Sequence, residues 1–107
     1  IQGIGYALTE HMRFDGETGI PVNTDWYKNK PPSIMDYSKT PLSVGGVDEP
    51  DPYGPHGAKG VGEPPYGAAA SAVVSAIENG LGATFRHHPI TSSDVLDKIE
   101  AGETEVS

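Results

Sequence analysis

The sequence predicts an α+β fold: a hairpin and one or two further short strands, packed with two main helices and a short C-terminal one. Three observations point there. Apolar residues recur at helical spacing in two separate places. Turn residues sit between two short extended pieces early in the chain. A helix-start signature, Thr91-Ser92-Ser93-Asp94, appears near the end.

The first helical stripe is Ile1, Ile4, Ala7, Leu8 and Met12. Gly3 and Gly5 lie inside it and each lowers helix propensity by about 1 kcal/mol against Ala. Glycines kept in a helix at that cost signal a second backbone packed close. Gln2-Gly3-Ile4-Gly5 lacks the third glycine and the preceding strand of a dinucleotide fingerprint. Gln2 is a candidate hydrogen-bond donor to a cofactor, against the plainer reading of a solvated residue at a helix start. Glu10 and His11 are expected on the outer face or as caps.

Arg13-Phe14, the turn Asp15-Gly16-Glu17-Thr18-Gly19, and Ile20-Pro21-Val22-Asn23 read as a hairpin. Pro21 restricts the second piece to an edge. The stretch from Asp25 to Ser33 is irregular, with Trp26 and Tyr27 expected as packing anchors. Pro41 to Val47 alternates well enough for one strand. The acidic, proline-rich loop Asp48 to Pro55 reads as solvated surface, with a divalent-cation site as its sharper alternative. Small and apolar residues from Ala68 to Gly80 then give the best helix, from Tyr66 to Leu81, with Pro64-Pro65 as its first turn. Asn79, Gly80 and Gly82 are its stop signals. Ala83 to Arg86 reads as a short strand. His87 and His88 are adjacent, so in extended chain they face apart and make a poor metal pair. The last helix carries Val95, Leu96 and Ile99. The polar tail from Glu100 to Ser107 is expected to fray.

Composition narrows the function. The chain has 107 residues, is 36% hydrophobic, and holds 14 Gly and 10 Pro. So much turn-forming residue leaves only a modest core, and the chain is expected to need partners or further sequence to fold well. A net charge of −8 argues against nucleic acid or an anionic membrane as partner. With no cysteine, the chain holds no disulfide or thiolate-bound iron–sulfur cluster. No apolar run reaches membrane-span length. Cytoplasmic residence is the expectation.

One stretch concentrates the chemistry: Gly57-Ala58-Lys59-Gly60-Val61-Gly62-Glu63, followed by Pro64-Pro65. Three glycines in six residues let a bulky ligand approach the backbone. Pro64 is expected to hold Glu63 extended, out of the α region. The loop then delivers one carboxylate to the mouth of a helix. The plain alternative is a glycine-rich connector with a solvated Glu.

The order of these motifs resembles the C-terminal part of the molybdenum-binding (large) subunit of the xanthine dehydrogenase and aldehyde oxidoreductase family. The resemblance runs through Gln2-Gly3-Ile4-Gly5 with Ala7-Leu8 and Glu10, Asp15 and Gly19, Asn23, Tyr27-Lys28 and Pro31. It continues through Gly57 to Pro65 with the alanine-rich helix, Pro89-Ile90-Thr91 and Val95-Leu96. Asn29-Lys30 interrupts the family's Tyr-Lys-Ile-Pro pattern. The resemblance implies that residues 1–107 are one portion of a larger molybdopterin-binding domain, with 57–63 as its active-site loop. It implies a molybdenum-pyranopterin, as molybdopterin or its cytosine dinucleotide, held mainly by other sequence. Glu63 would be the general base that deprotonates a molybdenum-bound hydroxyl, whose oxygen attacks an aldehyde or N-heterocycle. Gly60, Val61 and Gly62 would line the cofactor side, with no residue here ligating the metal. Water supplies the oxygen, and electrons leave through iron–sulfur clusters and FAD in partner domains. The alternative is a non-catalytic assembly module packed against a larger molybdenum subunit.

Overall fold

The computed structural model describes residues 1–39 and 41–105. Four helices occur among them: α1 (Gln2–Leu8), α2 (Ile34–Tyr37), α3 (Pro64–Leu81) and α4 (Ser92–Glu100). The helical part of the α+β expectation holds. Its strand part is reduced, among the described residues, to one antiparallel bridge between Phe14 and Pro21.

The centre of the fold is α1 against α3. Gly3 makes that contact close: a Cβ there would lie 2.6 Å from the Ala69 Cβ and 2.7 Å from the Tyr66 carbonyl oxygen. Ala69 of α3 answers Gly3 of α1, the close approach the sequence led us to expect, whereas Gly5 faces Pro32 and the Glu10 carboxylate. Helix α1 ends four residues before Met12. The N–H groups of Thr9 and Glu10 both bond the Gly5 carbonyl at 2.8 Å, which closes the last turn and redirects the chain. Met12 therefore leaves the helical stripe and is exposed.

Helix α3 begins at Pro64, whose ring fits the first helical position. It stops at Gly82, which is left-handed (φ 63°, ψ 29°) and bonds back to Glu78. Past this cap, Ala83, Phe85 and Ile90 form the buried cluster, with Val74, Ile77, Leu81 and Val95 packed around it. Ala83 to Arg86 is no strand. The Phe85 N–H donates to the Glu78 carboxylate at 2.8 Å instead of to a sheet neighbour. The Ile90 N–H donates to the Ala7 carbonyl at 2.8 Å and ties this cluster to α1.

Helix α4 starts at the foreseen capping box: Thr91 Oγ1 accepts from the Asp94 N–H, and the Asp94 carboxylate accepts from the Thr91 N–H. The Thr91 hydroxyl, then its N–H, then His87 hold the Asp94 carboxyl below its ordinary value. The tail folds back as far as it is described. The Glu105 N–H bonds the Leu81 carbonyl at 2.8 Å, and Lys98 pairs with Glu103. Val106 and Ser107 lie outside the described residues.

The hairpin is present as a hydrogen-bonded turn. Asp15 and Ile20 pair through N–H to carbonyl at 2.9 Å, as do Val22 and Arg13. Asn23 is buried and stitches the base of the turn: its Oδ1 accepts from the Arg13 N–H at 2.7 Å and its Nδ2 donates to the His11 carbonyl at 2.6 Å.

Three further expectations need correction. Trp26 and Tyr27 are not packing anchors; they are 84% and 91% exposed, because Asp25 caps a local turn that projects them outward. Pro41 to Val47 forms no strand, since no strand among the described residues offers it a ladder. The short helix α2 falls in a stretch where the sequence reading placed no element. Its signal was Ser33-x-x-Asp36, which forms a capping box. From residue 41 to residue 63 the chain holds one 3₁₀ turn, Pro55–Gly57, closed by a bond from the Asp51 N–H to the Gly57 carbonyl at 3.0 Å. The radius of gyration is 17.8 Å, against ~13 Å for a compact chain of this length.

Candidate functional site

The glycine loop delivers Glu63 to the N-terminus of α3. Glu63 is not extended as Pro64 led us to expect; it is the N-cap, with φ −78° and ψ −38°. Its carbonyl accepts from the Tyr66 N–H at 2.9 Å, and closing that first turn outweighs the steric preference imposed by the proline. The Glu63 side chain is exposed and makes no cap hydrogen bond to the helix. Its carboxylate is therefore not spent on the helix it begins.

Glu63 shares a cavity of about 290 Å³ with Gln2, Gly62 and Tyr66. The α1–α3 contact is what brings Gln2, sixty-one positions away, to the loop. Gly62 has open space where a Cβ would stand, so its backbone is accessible to a ligand from that side. Tyr66 was not singled out by the sequence reading. Its signal was position: three residues after Glu63 on a helix is the same face. Desolvation, and then the charges of Glu10 and Tyr6, push the Tyr66 phenol above its ordinary value. At neutral pH it is an O–H donor.

The expected cofactor-side residues divide. Gly62 stays with Glu63, whereas Gly60 and Val61 line a separate hollow of about 600 Å³ with Gly45 to Pro50 and Lys59. Trp26 lines a third hollow, about 430 Å³, with Gln2, Glu10 and Asn29. Gln2 thus borders both spaces. Glu10 is half-buried, its Oε1 enclosed without a hydrogen-bond partner.

The histidines go elsewhere. His88 packs tilted against Tyr6, with ring centres 4.3 Å apart, and His87 Nε2 lies 3.3 Å from Asp94 Oδ1. No group of three His, Asp or Glu side chains able to hold a metal occurs among the described residues. No helix among them is long and apolar enough to cross a membrane.

What the arrangement offers is one free carboxylate, one amide, one phenol donor and a bare glycine backbone around a small space. That set can accept a proton from, and hydrogen-bond to, a ligand that enters the space. The chain is related in sequence to subunits of multi-component dehydrogenases. It is 31% identical over 102 residues to the gamma subunit of the 6-hydroxypseudooxynicotine dehydrogenase complex of Paenarthrobacter nicotinovorans, a match covering 94% of this chain and 13% of that subunit. More particularly, it is similar to molybdenum-binding subunits of xanthine dehydrogenases. It is 32% identical over 96 residues to such a subunit from Escherichia coli, covering 90% of this chain and 12% of the relative. The resemblance read from the motifs is borne out. The chain spans about an eighth of the length of the curated relatives it matches. No protein-family profile matches it.

Proposed function

We propose that residues 1–107 are a portion of a molybdenum hydroxylase and supply its general base, Glu63, to a site completed by a larger molybdenum-binding polypeptide. The observation that carries this reading is the state of Glu63. It stands at the start of an 18-residue helix, exposed and without a cap bond, facing a cavity it shares with Gln2, Gly62 and Tyr66. A solvated connector would give the same exposure. It gives no reason for an amide from α1, a phenol donor and an open glycine to gather at one carboxylate.

The residues fit a pyranopterin-bound molybdenum on this side. Gln2 and the backbone of Gly62 would hold polar edges of the group, while Gly60 and Val61 line the neighbouring hollow. When bound, that group activates water and takes up two electrons from an aldehyde or N-heterocycle. Glu63 accepts the proton that must leave the attacking oxygen, and the Tyr66 O–H donates a hydrogen bond within the same space. The partial positive end of α3 favours the carboxylate form of Glu63 before the transfer. Iron–sulfur and flavin partners would carry the electrons away.

Glu63→Gln in the complete enzyme removes the base and keeps the shape. Turnover is expected to fall about 10²–10⁴-fold with molybdenum content unchanged. Intact turnover would overturn the assignment and favour the second reading, a non-catalytic assembly module. That second reading draws support from the open, apolar segment between α2 and α3.

A further inference from the structure

We propose that a hollow beside the α1–α3 pair binds an organic anion: a carboxylate carried on a small apolar body. The hollow has a volume of about 530 Å³, within the range of small-molecule sites. Its walls come from α1, α3 and residues 85–88, the half of the chain that packs on itself. It shares no lining residue with the Glu63 cavity, and binding there is independent of the base.

The lining divides by chemistry. Its buried part is apolar: Ala70 and Phe85, with Val74 half-buried beside them. Its exposed part is basic: Arg86, His87 and His88 in succession. No carboxylate lines it, although the chain has 15 Asp and Glu residues and a net charge of −8. The hollows at Glu63, at Trp26 and at Lys59 each include at least one carboxylate. A space that leaves out acids on an acidic chain, and gathers basic side chains in a row, selects for negative charge.

Arg86 is the group that would hold that charge. His87 is turned to Asp94, and His88 packs against Tyr6. Arg86 makes no ion pair among the described residues. Its planar fork presents parallel N–H donors that match a carboxylate. The hydroxyls of Ser75 and Tyr6 line the same hollow and add two further donors. The buried lining sets the other half of the ligand. Phe85, Val74 and Ala70 gain from covering a ring or short alkyl body, whose apolar surface leaves water there, and offer nothing to a bare inorganic ion.

Tyr6 joins this hollow to its neighbour. Its ring centre lies 4.3 Å from that of His88 and 5.3 Å from that of Tyr66, and Tyr66 lines the Glu63 cavity. An apolar acid can thus be held one aromatic ring away from the candidate base without entering its cavity.

Equilibrium dialysis of the native assembly with benzoate tests the site. Binding is expected to saturate with a Kd of about 1 mM or below. Acetate keeps the charge and lacks the body; benzamide keeps the body and lacks the charge. Each should bind at least about tenfold more weakly. Arg86→Gln removes the cation and should weaken benzoate by about tenfold or more. Gly67→Leu fills the hollow from a helix position where an added Cβ meets nothing within 4 Å, and should abolish binding. Glu63→Gln should leave benzoate binding unchanged. Absence of saturable binding, equal binding of benzamide, or unchanged affinity in either Arg86→Gln or Gly67→Leu would overturn the site. So would loss of binding in Glu63→Gln, which would put the ligand in the other cavity. The two readings fail separately, because the base is judged by the turnover of Glu63→Gln and the anion site by the affinity of Arg86→Gln.

Discussion

Glycine does opposite things in two regions of this molecule. At Gly3, in α1, an added Cβ would collide with the Ala69 side chain and the Tyr66 carbonyl. At Gly45, Gly46 and Gly60, between α2 and α3, it would meet nothing. The first glycine lets two helices approach. The others stand open on the segment between α2 and α3. The α1–α3 pair, with the Phe85 cluster beside it, is structure that the chain completes internally. The segment makes close contacts of its own around residues 50–58, where the Asp51 N–H bonds the Gly57 carbonyl at 3.0 Å and a Cβ at Gly57 would lie 2.7 Å from Pro50.

Substitutions can break or sharpen this contrast. Phe85→Ala strikes the internally completed half hardest. Phe85 is 7% exposed within the one buried cluster, and truncation should cost about 3–5 kcal/mol, read as a lowered urea midpoint of the assembled protein. Gly3→Val should cost about 1–3 kcal/mol by forcing α1 off α3. It should also lower activity, because Gln2 would move with α1. A stability loss without any change in turnover would separate the helix contact from the site. Gly45→Ala is the smallest test. At an open position it should stabilise by about 0.4–1 kcal/mol through the unfolded state. A loss in the assembled protein would reveal a close neighbour at that glycine, and would break the contrast there.

The part of the molecule legible in its sequence is the locally determined part. Pro64 at a helix start, Gly82 at a helix stop and the Thr91–Asp94 box act within a few residues, and each is found where it was read. The alternation of Pro41 to Val47 misled because a strand also needs a neighbour, and none stands beside it here. Trp26 and Tyr27 misled for a related reason: their bulk suggested a core, whereas Asp25 turns the chain so that both face outward. Glu63 was singled out from its loop as the start of the helix at Pro64. Its backbone conformation was not legible, because the rule for residues before proline yields to a helix start that closes on the Tyr66 N–H. Tyr66 and the proximity of Gln2 were hidden for a third reason. They depend on α1 meeting α3, a contact between residues more than sixty positions apart.

The exposed indole beside the Gln2 hollow has an optical consequence. Trp26 is the chain's one tryptophan, 84% exposed, at the rim of a space that also holds Gln2 and Glu10. Indole emission shifts to shorter wavelength when water leaves the ring. Any body that settles against this rim, next to the site, therefore changes the colour of the light this chain emits. The chain carries its own fluorophore where occupancy is to be judged, with no label attached.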